Sequence, residues 1–243
     1  MANSYGPKGI VTDGLVFAAD AGNKQCFTSG ESTCKDLIQG STGTLEGNTT
    51  FSSEAGGSWE FDGTSDDITW GTTVPIVEDF DTTSTFTFMQ WHNQDATGEY
   101  HGLMTRSGTS YKGISQSVDN DNKFYVQLIN ALSSRIKVYS SSTTFTNNQW
   151  YHTCFTWDGN ASGTKWQGVK IYMNGQPQTV AMTLNSLSTN TIKDASCELM
   201  LGDRMNAGLD LDGKSTLGLI YNRELTASEV LQNYNAQKTR FGL

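Results

Sequence analysis

Short runs in which apolar and polar residues alternate, broken by clusters of Gly, Asn, Asp and Ser, recur along most of the chain. In Ser84-Thr-Phe-Thr-Phe-Met-Gln-Trp91, Phe86, Phe88 and Gln90 point one way and Thr85, Thr87 and Met89 the other, the period of a half-buried strand. The same pattern predicts strands near 14–19, 58–61, 67–70, 102–105, 111–118 and 123–129. It predicts further strands near 135–139, 149–157, 167–173, 198–202 and 217–221. The breaks read as tight turns. Asn174-Gly175 suits the positive φ angles of a hairpin, Asp158-Gly159 starts a loop, and Asp119-Asn-Asp-Asn122 reads as a hairpin tip. Many strands joined by short turns, without alternating helices, predict an all-β sandwich of two antiparallel sheets.

One segment has the helical pattern. Thr226-Ala-Ser-Glu229 matches a capping box, and Val230, Leu231 and Tyr234 then share a face. Lys238 and Arg240 near the end complement the helix dipole and Gly242 can stop it, which predicts a short C-terminal helix over 227–240. Neither a linker nor an internal repeat is visible, so the chain reads as an arm, 1–13, followed by one domain, 14–243. Tyr5, Pro7 and Ile10 would anchor that arm to a partner; a frayed terminus is the competing reading.

Composition narrows the function. The 243 residues are long enough for a sizeable core, and 11% aromatics are too many for a disordered chain. The formal net charge of −9 opposes phosphate backbones and anionic lipid surfaces, so neither nucleic acid nor membrane insertion is expected. No run reaches the ~18 apolar residues of a spanning helix. Met1 to Gly9 has no apolar h-region, which predicts synthesis in a host cytoplasm without a signal peptide. Of the four cysteines, Cys26 and Cys34 share one polar loop; a small disulfide and two free thiols are equally compatible with their spacing. Cys154 and Cys197 lie in apparent strands and read as small buried hydrophobes. No Cys-x-x-Cys supports a zinc or redox motif.

Several segments in order carry a resemblance. They are Ile10-Val-Thr-Asp-Gly-Leu-Val-Phe-Ala-Ala-Asp20, Gly57-Ser-Trp-Glu-Phe-Asp-Gly-Thr-Ser-Asp-Asp-Ile68, Phe86-Thr-Phe-Met-Gln-Trp91, Gln149-Trp-Tyr-His152, Val169-Lys-Ile-Tyr-Met-Asn-Gly175 and Leu219-Ile-Tyr-Asn-Arg-Glu-Leu-Thr-Ala-Ser-Glu-Val230. Together they resemble the laminin-G-like branch of the concanavalin A-like lectin/glucanase jelly rolls. The form that opens with Ile10-Val-Thr-Asp-Gly-Leu-Val-Phe17 and ends with Tyr234-Asn-Ala-Gln-Lys-Thr-Arg-Phe-Gly-Leu243 is most similar to copies in tailed-phage virion proteins. The resemblance implies a two-sheet jelly-roll sandwich whose rim loops carry the sites, with first and last segments paired in one sheet. Relatives usually carry aromatic residues near the Cys26/Cys34 loop, so a bridge there would replace an aromatic clasp.

The resemblance also frames three chemistries. The glucanases of this superfamily place carboxylates alternately on one strand, Glu-x-Asp-x-(x)-Glu, to flank a glycosidic bond. No such run exists; Glu78-Asp-Phe-Asp81 comes nearest, beside Pro75 in an apparent loop. His92, His101 and His152 form no His-Glu-x-x-His, so no catalytic residue is expected. Jelly rolls of this type often hold Ca²⁺ on rim carboxylates, and Asp62/Asp66/Asp67, Asp119/Asp121 and Asp203/Asp210/Asp212 qualify by composition, although solvated turns explain them as well. Glycan sites pair an aromatic face with Asp or Asn. Tyr100 and Trp166, set among charged or small residues, are the exposed candidates, whereas Trp70 and Trp91 read as core. The reading these features favour is a non-enzymatic virion structural protein (capsid decoration, head fibre or tail surface), bound to other capsid or tail proteins and able to self-associate. The alternative is a carbohydrate-binding module directed at cell-surface glycans.

Overall fold

The computed structural model describes residues 9–243 apart from 73, 75, 76, 78, 97, 109, 110, 161–163, 188–190, 194 and 204–208. Tyr5, Pro7, Pro75 and Glu78 therefore lie outside the described residues. The strands begin with β1 (Leu15–Ala19), β2 (Thr33–Lys35), β3 (Thr42–Glu46), β4 (Thr50–Ser52), β5 (Ser58–Asp62) and β6 (Asp67–Thr69). They continue with β7 (Phe86–Gln94), β8 (His101–Ser107), β9 (Gly113–Val118), β10 (Lys123–Ala131), β11 (Ser134–Thr144) and β12 (Tyr151–Trp157). Last come β13 (Val169–Met173), β14 (Gln176–Pro177), β15 (Val180–Asn185), β16 (Glu198–Leu201) and β17 (Asp212–Tyr221), followed by helix α1 (Ala227–Gln237).

Two antiparallel sheets form a sandwich. One runs β14-β13-β12-β7-β17-β5-β4, with β1 also on β17; the other runs β15-β11-β10-β9-β8-β16-β6-β3-β2. The pairing of β1 with β17, Ala18 opposite Leu219, joins the first and last strands as the sequence led us to expect. Between the sheets lie Phe86, Phe88, Phe155, Trp157, Ile171 and Met173, all buried. Phe88 stacks on Phe155 with ring centroids 5.5 Å apart, and Phe80 stacks on Phe86 at 5.2 Å. Burying each such ring contributes about 1.5–3 kcal/mol. The hairpin between β13 and β14 turns at Asn174 (φ 49°) and Gly175 (φ 73°), the left-handed pair that Asn-Gly favours. A side chain at Gly175 would meet Tyr234 Cβ at 2.9 Å and its ring at 3.0 Å, so the turn is also a contact with the helix.

Helix α1 covers the outer face of the first sheet, which is why β7 is buried along both faces. Met89, Cys154, Tyr172, Leu219, Tyr221, Leu225 and Val230 form a second apolar cluster there. The capping box is present: Thr226 accepts from the Glu229 N–H, and Glu229 accepts from the Thr226 N–H at 2.8 Å. Arg223 grips the same carboxylate at 2.6 Å and, with the bonds from Thr226, holds Glu229 down to about 2. The helix ends at Gln237, short of the expected 240, because a 3-10 turn over Lys238–Phe241 rotates Phe241 onto Trp91, ring centroids 3.8 Å apart. Arg240 does not serve the helix dipole. It reaches Asp20 at 2.8 Å and the Gly57 carbonyl at 2.7 Å, tying the C-terminus to the first loop.

The start of the described chain is held by the same helix. The Val11 N–H donates to Asn233 Oδ1 at 2.7 Å, Gln232 donates to the Gly9 carbonyl at 2.8 Å, and Ile10 packs on the second cluster. Ile10 thus anchors to its own chain. Cys154 and Cys197 are buried, and Cys26 and Cys34 are buried free thiols that hydrogen-bond to one another rather than a disulfide. Among the described residues no helix is long and apolar enough to cross a membrane.

Candidate functional site

The outer face of β10, β11 and β15 carries an open cavity of about 350 Å³. The hairpin tip between β9 and β10 forms one wall, and its geometry comes from Asp119. That carboxylate is buried, and its Oδ1 accepts from the N–H groups of Asp121 (3.0 Å) and Lys123 (2.9 Å). Asn122 takes a left-handed φ of 59°, and its side-chain oxygen accepts from Gln94 Nε2 at 3.2 Å, which ties the tip to β7. The turn exposes Asn120 and Asp121 at the mouth of the cavity, beside the partly exposed Lys123.

Tyr100 and Tyr139 present their rings to the cavity, and the fully buried Tyr125 packs behind them. Tyr125 and Tyr139 face each other across β10 and β11 with centroids 5.3 Å apart, and Tyr100 meets Tyr125 edge-on at 6.5 Å. Lys137 Nζ sits 4.4 Å from the centroid of the Tyr125 ring and 4.8 Å from that of Tyr139, two cation–π contacts that fix the pair. Burial, then the Asp119 charge, pushes the Tyr139 hydroxyl up to about 12, so it stays a protonated donor at physiological pH. Thr183 on β15 closes the far side of the cavity. The site therefore offers ring surface, a carboxylate, an amide, hydroxyls and an ammonium group within one cavity. That set suits a polyhydroxylated ligand, with apolar ring faces for C–H patches and polar groups for hydroxyls.

Of the residues singled out from sequence, the structure brings Tyr100, Asp119 and Asp121 together here. Trp166 is elsewhere: it lies in a 3-10 turn over Lys165–Gly168, half-buried and packed on the main core. Trp70 and Trp91 are buried, as expected of core residues. Sequence reasoning missed Tyr139 and Thr183, and the Tyr125 and Lys137 side chains that support Tyr139 from behind. Their signal was present as positions on three successive paired strands, β10, β11 and β15.

The other aspartates are set apart, at the turn between β5 and β6 and around β16. Both oxygens of buried Asp66 accept backbone N–H groups, from Asn48 and from Asp62 at 2.9 Å. Asp62 accepts from the Thr64 N–H, and Asp210 accepts from the Ser65 N–H at 2.6 Å. Asp203 is buried, and its carbonyl accepts from Thr105. The carboxylates of Asp62, Asp66 and Asp210 clamp turns, and among the described residues no three His, Cys, Asp or Glu side chains converge to hold a metal ion. Asp67 is the exception in electrostatics. Burial, then the charges of Asp203, Glu46, Asp210 and Glu198, raise it to about 7.

No curated protein sequence matches the chain. Solved structures do. Trypanosoma rangeli sialidase in complex with sialic acid superposes with a TM-score of 0.66 at 16% identity, over 95% of this chain and 34% of that one. The binding domain of Paraclostridial Mosquitocidal Protein 1 gives 0.64 at 15% identity, over 92% of this chain and 52% of that one. The binding domain of botulinum neurotoxin serotype G gives 0.66 at 14% identity, over 90% and 50%. The chain thus spans a third to a half of the structures it matches, and these likenesses show its fold. A laminin G sequence model described as the concanavalin A-like lectin/glucanases superfamily matches residues 62–231, well over half of the chain. With the two-sheet sandwich, its closing strand pair and its C-terminal helix in place, the chain belongs to the concanavalin A-like lectin/glucanase superfamily.

Proposed function

We propose that this chain is a non-enzymatic carbohydrate-recognition module whose glycan sits between Tyr100, Tyr139 and the 119–123 tip. One observation carries the reading: aromatic rings and a fixed set of hydrogen-bonding groups line a single open cavity on a sheet face. The cavity is built to hold rather than to react. Asp119 Oδ1 is committed to two backbone N–H groups, and no histidine lines the walls. The company of the fold agrees, since similar structures include a sialidase solved with sialic acid and two toxin binding domains. A glycan array probed with the chain should give a restricted set of hits, each weakened at least tenfold by Tyr139→Ala. An array without hits, or hits indifferent to that change, would refute the site.

A second reading concerns where the module works. The opening and closing segments resemble tailed-phage virion proteins, so we place the chain on a particle surface beside capsid or tail proteins. The two readings are compatible, because a surface module that binds glycans serves attachment. Stoichiometric copurification with particles supports the placement, and its absence from purified particles contradicts it.

A further inference from the structure

We propose that Cys26 and Cys34 are a reversible dithiol clasp that closes to a disulfide in the presence of a low-molecular-weight disulfide such as oxidised glutathione. The two thiols are 3% and 1% exposed and share a hydrogen bond, which puts their sulfur atoms side by side. The backbone joins at the same place: the Lys35 N–H donates to the Cys26 carbonyl at 2.8 Å. The Asp20 N–H donates to Cys26 Sγ at 3.2 Å and holds that sulfur in position. Between the two cysteines, residues 28–33 are exposed, so the pair sits at the neck of a surface loop. That loop walls a second cavity, about 380 Å³, lined by Phe27 and Phe51 and rimmed by Ser29, Glu31, Thr49 and Thr50. The remaining cysteines are placed differently. Cys154 lies in β12 within the cluster under helix α1, and the Cys197 thiol donates to the Lys112 carbonyl at the start of β16.

The order of events follows from the hydrogen bonds. Donation by Cys34, outweighing burial and aided by Asp20, lowers the Cys26 thiol, while that same bond and then burial raise Cys34. Cys26, the more readily deprotonated of the two, is therefore the attacking sulfur. It bonds to one sulfur of glutathione disulfide and expels one glutathione. Cys34 then gives up its proton and attacks the Cys26 sulfur, forming the protein disulfide and expelling the second glutathione. Two protein thiols are oxidised, one small disulfide is reduced to two thiols, and the two protons leave on them. Closure removes freedom from the unfolded chain and fixes one wall of the Phe27–Phe51 cavity.

The test uses the full chain. After incubation with oxidised glutathione, the protein is unfolded, alkylated and mapped without reductant. The expected map shows Cys154 and Cys197 alkylated and the Cys26 and Cys34 peptides linked. The unfolding midpoint should rise by roughly 5–10 °C, fall back with dithiothreitol, and stay unchanged in Cys34→Ser. Alkylation of all four cysteines, glutathione retained on Cys26, or linkage to Cys154 or Cys197 would each overturn the proposal. Should Cys34→Ser fail to fold, the map and the dithiothreitol reversal on the parent chain decide alone.

Discussion

His92 and His152 are both fully buried on opposite faces of the first sheet. His92 lies between the sheets, edge-on to Phe145 at 4.8 Å, and His152 lies under the helix beside Trp91 and Tyr234. Burial lowers each to about 3, so both are neutral in the folded state. A lowered histidine contributes stability that is present above the unfolded value near 6.5 and is lost as pH falls toward 3. At pH 4.5 the loss is roughly 2–3 kcal/mol for each. The unfolding midpoint of the parent chain should therefore drop steeply between pH 6.5 and 4, and His152→Phe should drop less. Asp67 works in the other direction. A carboxyl raised to about 7 contributes stability below pH 4 that is lost as pH rises through 7. Because the group is only half-buried, water screening trims this to on the order of 2 kcal/mol. Asp67→Asn should equal the parent at pH 4 and exceed it at pH 8. Two fully buried histidines outweigh one half-buried carboxyl, so the parent chain should be most stable near neutrality; denaturant melts across pH read both effects.

Among the elements, helix α1 shows what pattern can and cannot reveal. Its start was legible because a capping box is local chemistry, read from Thr226 and Glu229 alone. Its buried face was not, because Asn233 and Gln237 are polar. Asn233 bridges the Val11 N–H and the Tyr221 hydroxyl, and Gln237 accepts from the Trp91 indole at 2.6 Å. Partners 222 residues apart leave no trace in a hydrophobic period. Asn233→Ala would strand the buried Val11 N–H, while the Tyr221 hydroxyl keeps its bond to the Val11 carbonyl, and should cost about 1–3 kcal/mol, read as a lower denaturation midpoint with an unchanged slope. Strands behaved likewise. Alternation assigned Phe86 and Phe88 to one face and Met89 to the other, and both faces proved buried, one by the opposite sheet and one by the helix. At the site, Asp119, Asp121 and Tyr100 were visible as turn and loop residues. Tyr139 and Thr183 were not, since their place in the cavity depends on β11 and β15 pairing at the sheet edge. The Gly and Thr around Trp166 suggested exposure, but the 3-10 turn directs its ring inward.

For the molecule as a whole, the sandwich supplies a rigid frame that presents hairpin tips and one open sheet face. The helix and residues 9–13 close the outer face of the first sheet, leaving the β10–β11–β15 face as the surface that carries the aromatic cavity. The central claim is that this cavity, rather than Trp166, binds the glycan. The direct measurement is calorimetric titration of an array-identified oligosaccharide into the parent chain, Tyr100→Ala and Trp166→Ala. The account predicts saturable binding by the parent, at least a tenfold loss in Tyr100→Ala, and retained affinity in folded Trp166→Ala. Loss confined to Trp166→Ala, with Tyr100→Ala binding like the parent, would contradict it.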